Sequence, residues 1–158
     1  MDKKLEIYYL GHSGFAVDTG ESMLVFDFWD IGKRLLDPIL HLKGRRIYFF
    51  NSHSHHDHYD PEIEKYKRSV RVESHFIGWK SSDSRHIYVP PHKSYHSDSI
   101  KVTALKSNDA GVAFYVEVDD IGILHGGDLA GWDDEPWGSF TDEIDFYKIG
   151  RASCRERV

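Results

Sequence analysis

Asn51-Ser52-His53-Ser54-His55-His56-Asp57-His58 is the stretch on which the reading of this chain turns. It holds four potential metal ligands in the pattern H-x-H-x-D-H. An apolar, strand-like run at 45–50 (RRIYFF) leads into it, and Asp60-Pro61-Glu62 follows. That second segment reads as a helix start running to about residue 68, with Asp60 as N-cap, Pro61 at the first helical position and Glu62 in the first turn. His53 and His55 stand two apart at a strand end, so both side chains project to one side. Asp57 and His58 fall where the chain turns toward the helix and can curl back over the same point. Imidazole plus carboxylate suits Zn²⁺, Fe²⁺ or Mn²⁺ and leaves positions open for water. A polar His-rich loop that picks up metal adventitiously is the competing reading. A lone H-x-H would fit that reading, but the full pattern between an apolar strand and a capped helix favours a metal site.

The surrounding composition narrows the class. The chain has 158 residues, a one-domain length that can bury a core. It is 40% hydrophobic and 14% aromatic, which argues against disorder. No apolar run approaches the roughly 20 residues a membrane-spanning helix needs. The start, Met1-Asp2-Lys3-Lys4, passes into a strand-like run with no signal-peptide core. A single cysteine, Cys154, makes no internal disulfide, so a cytoplasmic location is expected. The net charge of −6 disfavours a nucleic-acid or acidic-membrane partner and leaves a small-molecule substrate, with the oligomeric state open.

The last ten residues, 149–158 (IGRASCRERV), stand apart, with no apolar periodicity and a sudden basic bias. They match what one frame of a common sequencing-library adaptor encodes. They read as a non-native tail on a domain of residues 1–148 whose C-terminal part is missing. An ordinary solvated charged tail is the alternative. Setting aside the tail's three arginines and one glutamate takes the charge from −6 to −8.

Outward from the histidine cluster, strands are expected at 5–10, 14–18 and 23–28, with a turn at Thr19-Gly20. A short helix is expected at 33–42, ended by Gly44. Further strands are expected at 70–77, 86–89, 99–105, 112–118 and 121–125, the last two joined through Asp119-Asp120. A third helix is expected at 135–148. Many strands with few helices between them suggest an α/β layered fold on mixed or antiparallel sheets.

On H-x-H-x-D-H, on Leu24-Val25-Phe26-Asp27 before it and on His125-Gly126-Gly127-Asp128 after it, the chain resembles the metallo-β-lactamase-fold hydrolases. The opening Tyr9-Leu10-Gly11-His12-Ser13-Gly14-Phe15 is similar to the start of the branch that includes ascorbate-phosphate lactonase-like proteins. Lys106–Phe114 is similar to a bacterial subgroup near it. The resemblance implies an αββα sandwich, here lacking its C-terminal part, and one or two divalent ions, Zn first, with Mn or Fe as alternatives. It implies that His53 and His55 bind one metal, that Asp57 and His58 bind a second, and that Asp128 bridges the two. Asp57 is also the carboxylate assigned to catalysis. Asp27 would hydrogen-bond near the ligands and fix an imidazole. A metal-held water would attack a small ester, lactone or phosphodiester; a metal-binding, non-catalytic protein of the same fold is the alternative.

Two departures from the family pattern stand out. Where the family places a third histidine, this chain has Lys106-Ser107-Asn108-Asp109. Asp109 is open to two readings, an oxygen ligand favouring a harder metal or a turn cap before Gly111. The family's last histidine would fall beyond residue 148, leaving this chain's site incomplete and the chain itself expected to be inactive. An incomplete sandwich is also expected to expose sheet surface and to aggregate.

Of the remaining histidines, His12 sits in a Gly-flanked turn, with a substrate-contacting or outer-sphere role set against a surface turn. His56 is expected to face away. His75, His86, His92 and His96 are expected to be exposed and without partners. Trp132 and Trp137 follow Asp128 and either wall a substrate pocket or pack in the core.

Overall fold

The computed structural model describes residues 4–29, 35–38, 44–108, 110–129 and 143. Two sheets carry the fold. The first has six strands in spatial order β1 (Glu6–Gly11), β2 (Gly14–Asp18), β3 (Ser22–Phe26), β4 (Arg46–Asn51), β5 (Val72–Ile77), β6 (His86–Tyr88). The second has four, in spatial order β10 (Ile121–His125), β9 (Val112–Val118), β8 (Ile100–Lys106), β7 (Ser94–His96). Pairing in the first sheet is antiparallel from β1 to β3 and parallel from β3 to β6. The second sheet is antiparallel throughout.

The burial patterns follow from this division. β3 is buried at all five positions and β4 at five of six, as parallel strands covered on both faces must be. In β8 and β9 buried residues largely alternate with partly exposed ones, because only one face of that sheet meets the core. Between the sheets, Leu24, Phe26, Tyr48, Phe50 and Phe76 pack against Val102, Ala104, Phe114 and Val116. On the other face of the first sheet, Met23, Val25, Ile47 and Phe49 pack with Leu36 of helix α1 (described at 35–38) and Ile63 of α2 (Ile63–Ser69). The described residues thus form a helix layer on two stacked sheets, and among them no helix covers the outer face of the second sheet. Among them also, no helix is long and apolar enough to cross a membrane.

The expected strands at 14–18, 112–118 and 121–125 form with those limits, and the others shift by a residue or two. Asp60 caps the turn before α2, its Oδ1 accepting the Glu62 N–H at 2.8 Å. Asp119 and Asp120 both take positive φ, 51° and 64°, the geometry of a two-residue hairpin turn. Asp119 also joins the two sheets, accepting from Thr19 Oγ1 at 2.6 Å and pairing with Arg46. β7 has no counterpart in the sequence reading. It is a polar edge strand whose pattern carries no apolar alternation. The helix expected at 135–148 lies, apart from Glu143, outside the described residues.

At one end of the two stacked sheets a cavity of about 470 Å³ opens, lined by Ile7, Phe15, Val17, Phe26, Ile123 and Leu124, with His12 and His125 among its walls.

Candidate metal centre

Strand register assembles the site. β3 and β4 run parallel with Phe26 opposite Phe50, so the residues just past both strand ends, Asp27 and Ser52, lie side by side. Asp27 N donates to Phe50 O at 2.8 Å, which continues the pairing by one residue. Asp27 holds φ at +45°, a left-handed conformation that costs a non-glycine residue energy and that its surroundings must impose. Fully buried, its carboxylate is met by four donors. Ser52 N reaches Oδ1 at 2.7 Å, while Ser52 Oγ, His58 Nδ1 and His125 Nε2 reach Oδ2 at 2.8, 2.8 and 2.9 Å. Burial alone would raise this carboxyl. The hydrogen bonds from His125 and His58, with Ser52, outweigh it and hold Asp27 well below the usual carboxylate range.

This one carboxylate orders the imidazoles around it. His58 donates its Nδ1 proton to Asp27, so Nε2 carries the lone pair in the neutral ring. Ser52 Oγ gives its only proton to Asp27 and can therefore only accept from His53 Nδ1, 2.9 Å away. His53 Nε2 is then a lone pair as well. Both Nε2 atoms are buried and have no hydrogen-bond partner among the described residues. What faces them is the Asp128 carboxylate, with Oδ2 at 3.4 Å from His53 and Oδ1 at 2.9 Å from His58. With both rings neutral, two buried lone pairs opposed to a carboxylate repel one another unless a cation lies between them. The donor set fits a divalent ion of the Zn, Fe or Mn kind.

The ligand atoms of His53, His58 and Asp128 form one such group; those of His12, Asp57 and His58 form another. His12 Nε2 is 3.0 Å from Asp57 Oδ2, and His58 Nε2 is 3.8 Å from the same oxygen. His58 is thus common to both groups, and His12, for which the sequence offered a substrate-contacting or outer-sphere role, has its imidazole in ligand reach. His55 is exposed and belongs to neither group, although its ring lies edge-on to His53 at 4.6 Å. His56 is exposed. Asp109 lies outside the described residues, as do Trp132 and Trp137.

Protonation differs between neighbours. Burial and the nearby His58 lower the His53 imidazole, favouring its neutral form. Burial also pulls His58 down, but the Asp27 hydrogen bond and the carboxylates of Asp128 and Asp57 reverse this and raise it. Burial would raise Asp57, yet backbone hydrogen bonding and the surrounding imidazoles lower it.

Ser52 is clamped from behind by glycines. A Cβ on Gly78 or on Gly111 would stand 2.0 Å from Ser52 O, and one on Gly127 would stand 2.8 Å from Ser52 Oγ. Gly111 also takes φ of +71°.

Two expectations are corrected here. His75 is not exposed: it is 1% accessible, and its Nε2 meets Asn51 Oδ1 at 2.6 Å. His86 and His92 are not alone, since His86 Nε2 lies 3.2 Å from Glu64 and His92 Nε2 lies 2.6 Å from Glu143. The strand-like run at 70–77 located the strand at His75 but not how deeply its face is covered.

A layered α/β domain with its imidazoles and carboxylates gathered past the ends of its strands has the architecture of a metal-binding sandwich domain. Residues 6–146 match the family described as the Beta-lactamase superfamily domain, and the chain belongs to that family. It is also 29% identical over 136 residues to a UPF0173 metal-dependent hydrolase of Bacillus licheniformis, covering 80% of this chain and 56% of that protein. The chain thus spans little more than half the length of that relative.

Among solved structures it is similar to CmlA, a diiron β-hydroxylase from Streptomyces venezuelae. The TM-score is 0.58 at 14% identity, over 91% of this chain and 33% of the other. It is also similar to the chemotaxis sensor ODP, solved as a peroxy diiron species. There the TM-score is 0.55 at 16% identity, over 93% and 72% of the two chains. At these identities the likeness shows the fold, and the metallo-β-lactamase sandwich expected from the motifs is the fold found.

Proposed function

We propose that the whole protein is a metal-dependent hydrolase acting on a small ester, lactone or phosphodiester. The observation that carries this is the pair of buried Nε2 atoms of His53 and His58, without a hydrogen-bond partner among the described residues, facing the Asp128 carboxylate. A divalent ion held there supplies a water of lowered pKa and a Lewis acid for the scissile carbonyl or phosphoryl oxygen. Asp27 keeps both imidazoles in the ligating tautomer, directly for His58 and through Ser52 for His53. Asp57, partly exposed and ionised, orients the attacking water or accepts its proton, and His12 braces that carboxylate. The cavity beside His12 and His125 gives an apolar part of the substrate a place to lie. Iron stands beside zinc and manganese as a candidate, because two structures of this fold hold diiron centres.

The sequence Lys106-Ser107-Asn108, where the family places a histidine, favours a second reading as a metal-binding, non-catalytic domain. One experiment separates the two. Metal per chain is measured by elemental mass spectrometry on this polypeptide and the full-length product, after dialysis against a weak chelator. Zn-, Mn- and Fe-loaded protein is then assayed on esters, lactones and phosphodiesters. Bound metal with turnover supports the hydrolase; bound metal without turnover supports the second reading, and no metal in either chain removes both.

A further inference from the structure

We propose that Glu64 of α2, His75 of β5 and His86 of β6 form a second site for a divalent transition ion such as Zn²⁺. It shares no residue with the His53, His58 and Asp128 group. The ligand atoms of the three lie within 4.8 Å of one another. His75 is the anchor. Asn51 donates its Nδ2 proton to His58 O at 2.6 Å, which fixes the amide so that Oδ1 is the acceptor for His75 Nε2–H at 2.6 Å. His75 Nδ1 is then a lone pair, buried, with no hydrogen-bond partner among the described residues, and it points into the cluster 3.9 Å from Glu64 Oε1. Burial holds this imidazole far below its ordinary value, so it stays neutral and able to ligate.

His86 brings the second nitrogen. Its ring sits edge-on to His75 at 4.5 Å, and its Nε2 lies 3.2 Å from Glu64 Oε1. On its other side Nδ1 is 3.1 Å from Ser81 Oγ, an oxygen that also accepts the Asp83 N–H. An ion takes the place of the Nε2–Glu64 hydrogen bond when the His86 proton moves to Nδ1, where Ser81 Oγ accepts it. Two imidazoles and a carboxylate form a zinc-type set with a fourth position for water. The competitor is visible. Lys67 Nζ lies 2.8 Å from Glu64 Oε1, and Arg85 Nη1 lies 3.0 Å from Oε2. An incoming ion displaces the Lys67 ammonium, which sits on a flexible stem, so Lys67 sets the apparent affinity.

The test is calorimetric titration of Zn²⁺ into the chelator-stripped chain. One class of binding should vanish in His86→Ala and in His75→Gln, and should persist in His53→Ala. In Lys67→Ala the same class should tighten by about fivefold, the equivalent of a lost competing ion pair of about 1 kcal/mol. Unchanged stoichiometry in His86→Ala, or unchanged affinity in Lys67→Ala, overturns the proposal. Lys67→Ala decides even where a histidine variant fails to fold. Loss of Zn²⁺ binding in His53→Ala alone would leave the first site standing and remove this one.

Discussion

Two imidazole–carboxylate clusters lie on either side of Asn51, and they are neutralised in opposite ways. Around Asp27 the charge is met by Ser52, His58 and His125, with no lysine or arginine among those partners. The imidazoles so ordered turn their lone pairs toward another carboxylate, Asp128. Around Glu64 the charge is already met by Lys67 and Arg85. The same residue types therefore create a strong demand for a cation at the first cluster and a contested one at the second. What differs is whether a permanent cation stands within reach. Asn51 joins the two, accepting from His75 and donating to the backbone of His58.

The largest break in this comparison is expected from Asp27→Ala. It leaves the buried donors of Ser52, His58 and His125 unanswered and should cost about 3 kcal/mol or more of stability. Urea unfolding reads this, and a loss under 1 kcal/mol would show that Asp27 is not the organiser described here. Next comes Gly111→Ala, which drives a Cβ into Ser52 O and strains a φ of +71°. Its cost should be about 2 kcal/mol or more, whereas Gly20→Ala, at φ of +94° with open space around it, should cost only the strain, about 1 kcal/mol. Equal costs would mean that the clamp on Ser52 relaxes freely.

Metal retention should separate the first cluster from a mere histidine count. His58→Ala should lose tenfold or more in bound metal after dialysis, while His92→Ala should match the wild type. Equal retention in both would remove His58 from the site.

The smallest effect is a slope. In metal-free protein His75 is neutral when folded but takes a proton near pH 6.5 when unfolded. The unfolded state then binds more protons below that pH, so stability is complete above about 6.5 and falls as pH drops. The fall should approach about 1.4 kcal/mol per pH unit from this group. His75→Gln should flatten unfolding free energy against pH between about 6.5 and 5.5; an unchanged slope would mean that His75 is protonated in the folded protein.

How far these clusters could be read in advance depended on the range of the forces involved. Strands 112–118 and 121–125 and the cap at Asp60 were legible, because alternation, turn chemistry and capping act over a few residues. The grouping of His53, Asp57 and His58 in one short loop was legible for the same reason. β7 was not, since a polar edge strand is held by its pairing to β8 and not by its own pattern. His75 was misjudged because a strand-like run shows that a strand forms but not what covers its faces.

The sequence by itself determined the family, every described strand but β7 and the loop that carries the histidines, since those rest on local order. Only the tertiary structure decided which nitrogen of each imidazole is free. That depends on the parallel register of β3 and β4, which sets Asp27 beside Ser52, and on the second sheet, which brings His125 to the same carboxylate across 98 residues of chain. Hydrogen-bond direction is fixed by partners in space, and those partners are distant in sequence.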